Sequence, residues 1–178
     1  MQELLSNAVK HFKTITKHRN LVMVHCFKAG IPVLGLLHDL SKYSPSEFIV
    51  GMKYYQGDHS PNDAERADKG YSSAWMHHKG RNKHHFEYWT DYYTKTHTVE
   101  PVEMPMKYVI EMFCDRVAAC KVYRKDTYTD SSPLEYLEGH GTKIPIHPET
   151  LKVLHSLLKM LAEQGEAKTF RYIRHLKK

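Results

Sequence analysis

Hydrophobic and polar residues in the first part of the chain follow the spacing of helices, with clear boundaries between segments. A long helical pattern over residues 3–29 ends at Gly30, a residue type that favours the position just after a helix. The next segment, PVLGLLHDL, predicts a short apolar helix that Leu36, Leu37 and Leu40 seat in the core. Sustained alternation beside an NG or DG turn, which would indicate a hairpin, is not found.

A helix-start signal and a polar segment follow. Ser44, Pro45 and Glu47 have the residue types and the spacing of a capping box, in which serine and glutamate side chains satisfy backbone N–H groups. The helix predicted there extends to about Gln56. Residues 57–70, GDHSPNDAERADKG, are expected to form a polar loop and a candidate mobile lid.

The second half of the chain is also predicted to be helical. YSSAWMHHK, NKHHFEYWTDYYTK and MPMKYVIEMFCDRVAACKVYR have helix-compatible patterns. Ser132, Pro133 and Glu135 repeat the capping-box spacing, and an amphipathic helix and a basic helix are expected over 148–176. These patterns predict a single all-α domain over residues 1–178.

Charge and composition narrow the class of partner. The chain has 26 Lys and Arg against 20 Asp and Glu, a net charge of +6, which favours a small anionic partner. Nucleic acid is the weaker alternative because the basic residues are dispersed. Without an apolar run of about 20 residues or a signal-peptide pattern, we expect a cytoplasmic protein with no membrane contact. The oligomeric state is left open.

Histidine is the unusual component, with 14 in the chain, and His38 and Asp39 are its first candidates for chemistry. They end an apolar run, where charged groups are costly unless they are paired or bind a metal. Imidazole and carboxylate together suit Zn, Fe, Mn or Ni ions. Lys42 follows one turn later, where it could reach an anion on such a metal. A buried hydrogen-bonded pair is the alternative.

A second group of candidates is the segment HHKGRNKHH, which has four histidines in nine residues. His78 and His85 would share one face of a continuous helix, or a turn at Gly80 would bring them together. Apolar residues flank the segment on both sides, which indicates partial burial. A solvated polar turn is the alternative.

Two further positions could complete a site. Asp115 lies within an apolar helical pattern, where a carboxylate needs either a metal or a basic partner such as Arg116 or Arg124. His18 and His25 are seven residues apart on one face of the first helix, so either could contribute. A core histidine is the alternative for His25.

These motifs, in this order, resemble the HD-domain superfamily of metal-dependent phosphohydrolases. LLHDLSK is similar to that superfamily's LLHDIGK motif, and CDRVAACKVYR is similar to its DAFDALTSDRPYR motif, with Asp115 at the last metal position. A closer resemblance is to a small uncharacterised HD-like family of unknown function that combines the motifs HDLSKYSPSEF and NKHHFEYW. The resemblance covers residues 14 to about 125, the expected metal-site core, and implies an HD-domain-like helical bundle.

The resemblance also implies roles for individual residues. The metal ligands that it implies are His18, His38, Asp39, His78, His85 and Asp115, with His25 as the alternative to His18 and His84 as the alternative to His85. They would hold one or two divalent ions of Fe, Mn, Zn, Co, Ni or Mg. Lys42 and Arg81 would neutralise phosphate oxygens, and His84 would protonate the leaving group.

The activity implied by this resemblance is hydrolysis of a phosphate ester, such as a nucleotide or another small phosphorylated metabolite. One alternative is a di-iron oxygenase, because some HD-fold proteins with the same ligand types use O₂. The other is a non-catalytic metal-binding or regulatory module, since a fold does not fix a function.

Overall fold

The computed structural model describes residues 2–139 and 144–176, which are mostly helical. The helices are α1 (Gln2–Ala29), α2 (Pro32–Leu37), α3 (Pro45–Lys53), α4 (Pro61–Lys69), α5 (Ser73–Lys79), α6 (Met106–Arg124), α7 (Ser132–Gly139) and α8 (Pro148–His175). Short 3-10 helices cover Leu40–Tyr43, Phe86–Tyr88 and Lys125–Thr127, and strands β1 (Thr90–Tyr93) and β2 (Thr98–Pro101) lie between α5 and α6. The chain is therefore mainly helical, and the prediction of a purely all-α fold is wrong for the strand pair.

The hydrophobic core lies among α1, α6 and α8. Phe113 at the middle of α6 is fully buried, as is Val22 of α1. The predicted apolar stripe of α8 is confirmed at Leu154, Leu158 and Leu161, each of which is fully buried. Burial of one such side chain contributes about 1.5–3 kcal/mol, so these three helices form the rigid frame that positions the polar residues described below.

Helix α2 packs on α1 through a glycine and not through its leucines. A Cβ at Gly35 would lie only 2.6 Å from Cys26 Cβ, so the two backbones approach closely. Leu36, Leu37 and Leu40 are about half exposed, and the prediction that they seat this segment in the core is wrong. The close approach fixes the end of α2, which is where the His-Asp dipeptide begins.

The segment NKHHFEYWTDYYTK, predicted as a helix, ends in a β-hairpin. β1 pairs with β2 in antiparallel register, with Tyr93 opposite Thr98. The left-handed position of the turn is occupied by His97, at φ 56°. Because no glycine marks this turn, the usual sequence signal of a hairpin is missing.

Helix α4 replaces the loop predicted at residues 57–70. Ser60 caps its start by accepting a hydrogen bond from Asn62 N–H, and Gly70 ends it in the left-handed conformation. Glu65, which is fully buried, ties α4 to the start of α5 by accepting hydrogen bonds from the hydroxyls of Ser72 and Ser73 at 2.7 and 2.6 Å. Residues 61–69 are thus an anchored helix, so the prediction of a loop is wrong there, while the lid stays a prediction.

Neither predicted capping box forms. Ser44 precedes α3 as expected, but its side chain makes no capping hydrogen bond. Ser132 lies within α7, where its hydroxyl accepts a hydrogen bond from Thr129 N–H. The two glutamates bind other partners: Glu135 accepts from Arg124, and Glu47 belongs to the site described next.

We expect Glu65→Gln to lower the free energy of unfolding by about 1–3 kcal/mol near neutral pH, because it weakens buried hydrogen bonds to a charged acceptor. Burial raises the pKa of Glu65, but hydrogen bonds from Ser73, Ser72 and Lys69 outweigh it and lower the pKa from 4.5 to about 2. The stabilisation is therefore complete above about pH 4.5 and is lost as the pH falls toward about 2.

Urea denaturation at about pH 7 and about pH 3 measures this effect. The difference between wild type and Glu65→Gln should shrink at the lower pH. Glu163→Gln, at an exposed position of α8, is the matched control and should leave the unfolding free energy nearly unchanged. A difference that does not vary with pH would contradict the assignment to the Glu65 carboxylate.

Candidate metal centre

His38 and Asp39 lie in a tight turn between α2 and the 3-10 helix Leu40–Tyr43. His38 is the residue that ends α2, and Asp39 adopts the left-handed conformation, at φ 55° and ψ 23°. This conformation costs about 1–3 kcal/mol for a residue with a side chain, and such strain is concentrated at functional sites. The turn directs both side chains inward, leaving them 2% and 1% exposed.

The carboxylate of Asp39 lies between two sets of imidazoles. Its Oδ2 is 3.3 Å from His38 Nε2 and 3.6 Å from His18 Nε2. Its Oδ1 is 3.2 Å from His78 Nε2 and 3.4 Å from His84 Nε2. The two oxygens of one side chain therefore face two different clusters.

Each cluster is completed by a residue from another element. We name the first the Asp115 group, and it comprises His18, His38, Asp39 and Asp115. Asp115 Oδ1 lies 2.9 Å from His18 Nε2 and 3.5 Å from His38 Nε2. Because α1, the turn after α2 and α6 each contribute, this group forms only in the folded chain.

We name the second cluster the His85 group, and it comprises Asp39, His78, His84 and His85. Gly80 ends α5, and the turn after it brings His85 Nε2 to 2.9 Å from His78 Nε2. The donor atoms in each group lie within 4.8 Å of one another. The structure thus brings together all six residues of the implied ligand set, with His84 as an additional member.

Two buried glutamates contact the Nδ1 atoms of these imidazoles. Glu111 Oε1 accepts a hydrogen bond from His38 Nδ1 at 2.9 Å and lies 3.3 Å from His84 Nδ1. Glu47 accepts from His78 Nδ1 at 2.8 Å and from His77 Nδ1 at 2.7 Å. A carboxylate bound at Nδ1 fixes the tautomer that leaves the Nε2 lone pair free for a metal.

Sequence reasoning missed both glutamates. Glu47 was assigned to a capping box, whose spacing it satisfies by coincidence. Glu111 lies one helical turn before Asp115 on α6, and this spacing of two carboxylates on one helix face was the available signal. The two side chains are 5% exposed, which is unusual for glutamates that lack a specific partner.

Several buried polar atoms at the centre have no hydrogen-bond partner among the described residues. They include Asp39 Oδ1 and the Nε2 atoms of His18, His38 and His84. Such atoms are rare in folded proteins and cost about 1–3 kcal/mol each when unsatisfied. A cation would satisfy them, and an all-nitrogen and oxygen donor set suits a divalent transition metal. The residues present therefore fit a metal.

Electrostatic interactions within the Asp115 group are strong. Burial lowers the pKa of His38, but Asp39 and Asp115 outweigh it and raise the pKa well above its usual value. Burial likewise raises the pKa of Asp39, yet His38, Lys42 and His78 bring it well below its usual value. In the metal-free protein, His38 and Asp39 therefore attract one another and hold each other in place.

The His85 group differs in its protonation. The pKa of His85 is lowered well below its usual value by burial and by the neighbouring imidazoles of His84 and His78. Burial and His38 lower the pKa of His84. His78 shows the opposite shift, because Asp39 and Glu47 outweigh burial and raise its pKa. His84 and His85 are therefore neutral imidazoles, the form that binds metals.

Lys42 and Arg81, the two residues predicted to contact phosphate, lie in different environments. Lys42 Nζ lies 2.7 Å from Asp39 Oδ2, with its side chain 30% exposed. Arg81 is exposed, donates to His77 O and does not line the cavity beside the ligand groups, so its position gives no support to the predicted contact with phosphate. The turn after α5 leaves Arg81 exposed although it lies between the histidines in sequence.

The structure also locates His25 and His84, the two alternative ligands. His25 is a core residue whose Nδ1 lies 3.4 Å from Cys114 O and whose ring packs on Phe170, so His18 is the residue that joins the cluster. His84 is 1% exposed and does not line the cavity. This position suits a ligand better than a residue that protonates a leaving group, and the latter role stays a prediction.

A cavity of about 570 Å³ lies beside both groups. Members of the two groups line it together with Lys42, Trp75 and the start of α4. His11, which sequence reasoning did not select, also lines it, and its buried Nδ1 has no partner among the described residues. A Cβ at Gly51 would collide with this ring. The volume is that of a small-molecule site.

In the metal-free protein we expect His38 and His78 to titrate above 6.5, and His84 and His85 below it. Histidine NMR titration after treatment with a chelator measures the four values. Asp39→Asn removes a negative charge while burial remains, so the pKa values of His38 and His78 should fall.

Asp91→Asn, at an exposed position of β1, is the control for this titration and should leave all four values unchanged. An unaltered titration of His38 in Asp39→Asn would contradict the electrostatic account.

Comparison with known proteins gives a family but no activity. No curated protein and no solved structure matches the chain. Across the described residues, no helix combines the length and the apolar character needed to cross a bilayer. A family model matches residues 7–160, which include both ligand groups. The chain belongs to this family, the family of unknown function DUF5662.

Proposed function

We propose that this protein is a metal-dependent hydrolase of a small phosphate ester, and that the Asp115 group and the His85 group each hold one divalent cation. The observation that supports this most directly is the position of Asp39, whose two oxygens face the two groups separately. A carboxylate in that position can bridge two ions, as in two-metal hydrolytic sites. The resemblance of LLHDLSK and Asp115 to the HD-domain superfamily supports the same assignment.

Divalent cations, when bound, supply Lewis acidity that lowers the pKa of water and polarises a phosphoryl oxygen. The chain's own residues do the rest. Glu111 and Glu47 keep the imidazoles in one tautomer through their hydrogen bonds at Nδ1. Lys42 lines the cavity beside Asp39, where its ammonium group would neutralise phosphate oxygens through charge-assisted hydrogen bonds.

The cavity favours an anionic organic substrate. Its volume of about 570 Å³ exceeds what a phosphate group alone would fill. Lys42, Arg66, Arg116 and Arg124 contribute to its lining, and the net charge of +6 adds a long-range attraction for anions. Trp75 and Phe86 add aromatic surface that would contact the organic part of the substrate.

Metal content tests the two-cation assignment. Elemental analysis of protein produced in metal-replete cells should find about two ions per chain, and about one in His85→Ala, which loses a ligand of one group only. Asp39→Ala removes a ligand from both groups and should retain less than one. His155→Ala, at an exposed site on α8, is the control and should retain both ions.

A wild-type protein that stays folded and metal-free after exposure to Mn, Fe, Co and Zn would contradict the metal site. That result would favour the non-catalytic alternative.

Activity assays test the reaction. Protein loaded with Mn, Fe, Co or Zn should release phosphate from members of a panel of phosphomonoesters and nucleotides. We expect Asp39→Ala to lose at least about a hundredfold in kcat/KM, because it disturbs both cations. Lys42→Gln should raise KM by about tenfold through loss of a charged hydrogen bond. Arg81→Gln should have no effect, since Arg81 lies outside the cavity.

Turnover no higher than that of Asp39→Ala on every substrate would contradict the proposal. Iron-loaded protein that consumes O₂ and hydrolyses no phosphate ester would instead identify the oxygenase alternative.

A further inference from the structure

We infer that the substrate carries a second anionic group, a carboxylate or a phosphate distinct from the reacting one, and that Arg116 binds it. This inference rests on the proposed function, because it assumes that the reacting phosphate lies at the ligand groups. The inference concerns the end of the substrate that does not react and the residue that binds it.

Arg116 lines the same cavity as Asp115. It follows Asp115 on α6. Arg116 is half-buried, and its Nε is a buried atom with no hydrogen-bond partner among the described residues. A guanidinium group carries five donors, and a buried donor atom without a partner, such as Arg116 Nε, indicates an absent acceptor.

Two other arginines that line the cavity already have carboxylate partners. Arg66 lies 2.6 Å from Asp63 Oδ1, and Arg124 lies 2.8 Å from Glu135 Oε2. Within residues 2–139 and 144–176, no ion pair of this kind involves Arg116. Its charge is therefore available to a ligand.

The position of Arg116 on the helix separates it from the reacting phosphate. Consecutive residues of a helix point about 100° apart, so the Arg116 side chain diverges from the Asp115 carboxylate that faces the His18 and His38 imidazoles. Farther along α6, the small side chains of Ala119 and Cys120 continue the cavity wall. They leave room beside the guanidinium for a group of the substrate.

Glu87 is the acidic residue of the cavity that acts electrostatically on the same region. Its Oε2 is buried without a hydrogen-bond partner among the described residues, so this oxygen does not occupy the Arg116 guanidinium.

An anionic oxygen group is the ligand chemistry that this geometry selects. Guanidinium binds carboxylate and phosphate through two parallel hydrogen bonds, which a neutral hydroxyl or amide cannot match. A hydrogen bond to a charged group contributes about 1.5–3 kcal/mol, which corresponds to roughly tenfold to a hundredfold in affinity.

Non-hydrolysable probes test the inference on the full chain loaded with Mn. Calorimetry compares propylphosphonate, which has one anionic group, with 3-phosphonopropionate and propane-1,3-diphosphonate, which have two. We expect the better of the two-group probes to bind about tenfold to a hundredfold more tightly than propylphosphonate. The tighter of the two identifies the second group as carboxylate or phosphate.

Variants assign the difference to Arg116. Arg116→Gln should abolish the advantage of the two-group probes while leaving propylphosphonate binding within about twofold, and Arg116→Lys should retain part of it. Arg81→Gln is the matched control and should keep the full advantage. Ala119→Asp places a carboxylate one helical turn from Arg116 and should also abolish the advantage, which preserves the test if Arg116→Gln fails to fold.

Three outcomes would overturn the inference. Equal affinity of all probes for the wild type overturns it and leaves the proposed function intact. Equal weakening of every probe by Arg116→Gln assigns this residue to the reacting phosphate and overturns it as well. Absence of phosphonate binding to the metal-loaded protein overturns both the inference and the proposed function.

Discussion

The buried carboxylate of Asp39 is the group on which the rest of the site depends. Asp39 is only 1% exposed, and a buried charge without partners would be strongly unfavourable. The positively charged side chains and imidazoles around it are therefore needed for folding as well as for any chemistry. Residues from α1, α5 and the turn after α5 converge on this one side chain. The close packing of Gly35 on α1 and the left-handed backbone of Asp39 deliver it to that position.

Most helices could be predicted because their apolar positions repeat with helical spacing over many residues. The same reasoning failed where one polar contact decides the structure. Helix α4 has a single fully buried side chain, Glu65, and periodicity cannot detect a helix that is held by a carboxylate. The hairpin was missed because His97 occupies the left-handed turn position that glycine normally marks. In both cases the deciding interaction is not encoded in the hydrophobic pattern.

The convergence of His18, His38, Asp39, His78, His85 and Asp115 could be proposed from sequence because the resemblance to the HD-domain superfamily implies this ligand set. Apolar surroundings alone pointed only to some of these residues, such as Asp39 and Asp115. Orientation could not be predicted in the same way. Arg81 is adjacent to the histidines in sequence yet faces solvent, whereas Arg116 was considered only as a partner for Asp115. Glu47 matches the capping pattern in sequence, but its hydrogen bonds to two imidazoles depend on the packing of α3 against α5 and could not be predicted.

Glu111 connects the two clusters, because a single oxygen of this side chain contacts an imidazole of each. Oε1 accepts from His38, in the Asp115 group, and lies beside His84, in the His85 group. Any displacement that improves one of these contacts is transmitted to the other across one carboxylate. The two clusters are therefore joined through one carboxylate. If each holds a cation as proposed, binding at one would alter the affinity of the other, and by thermodynamic reciprocity the effect would be equal in both directions.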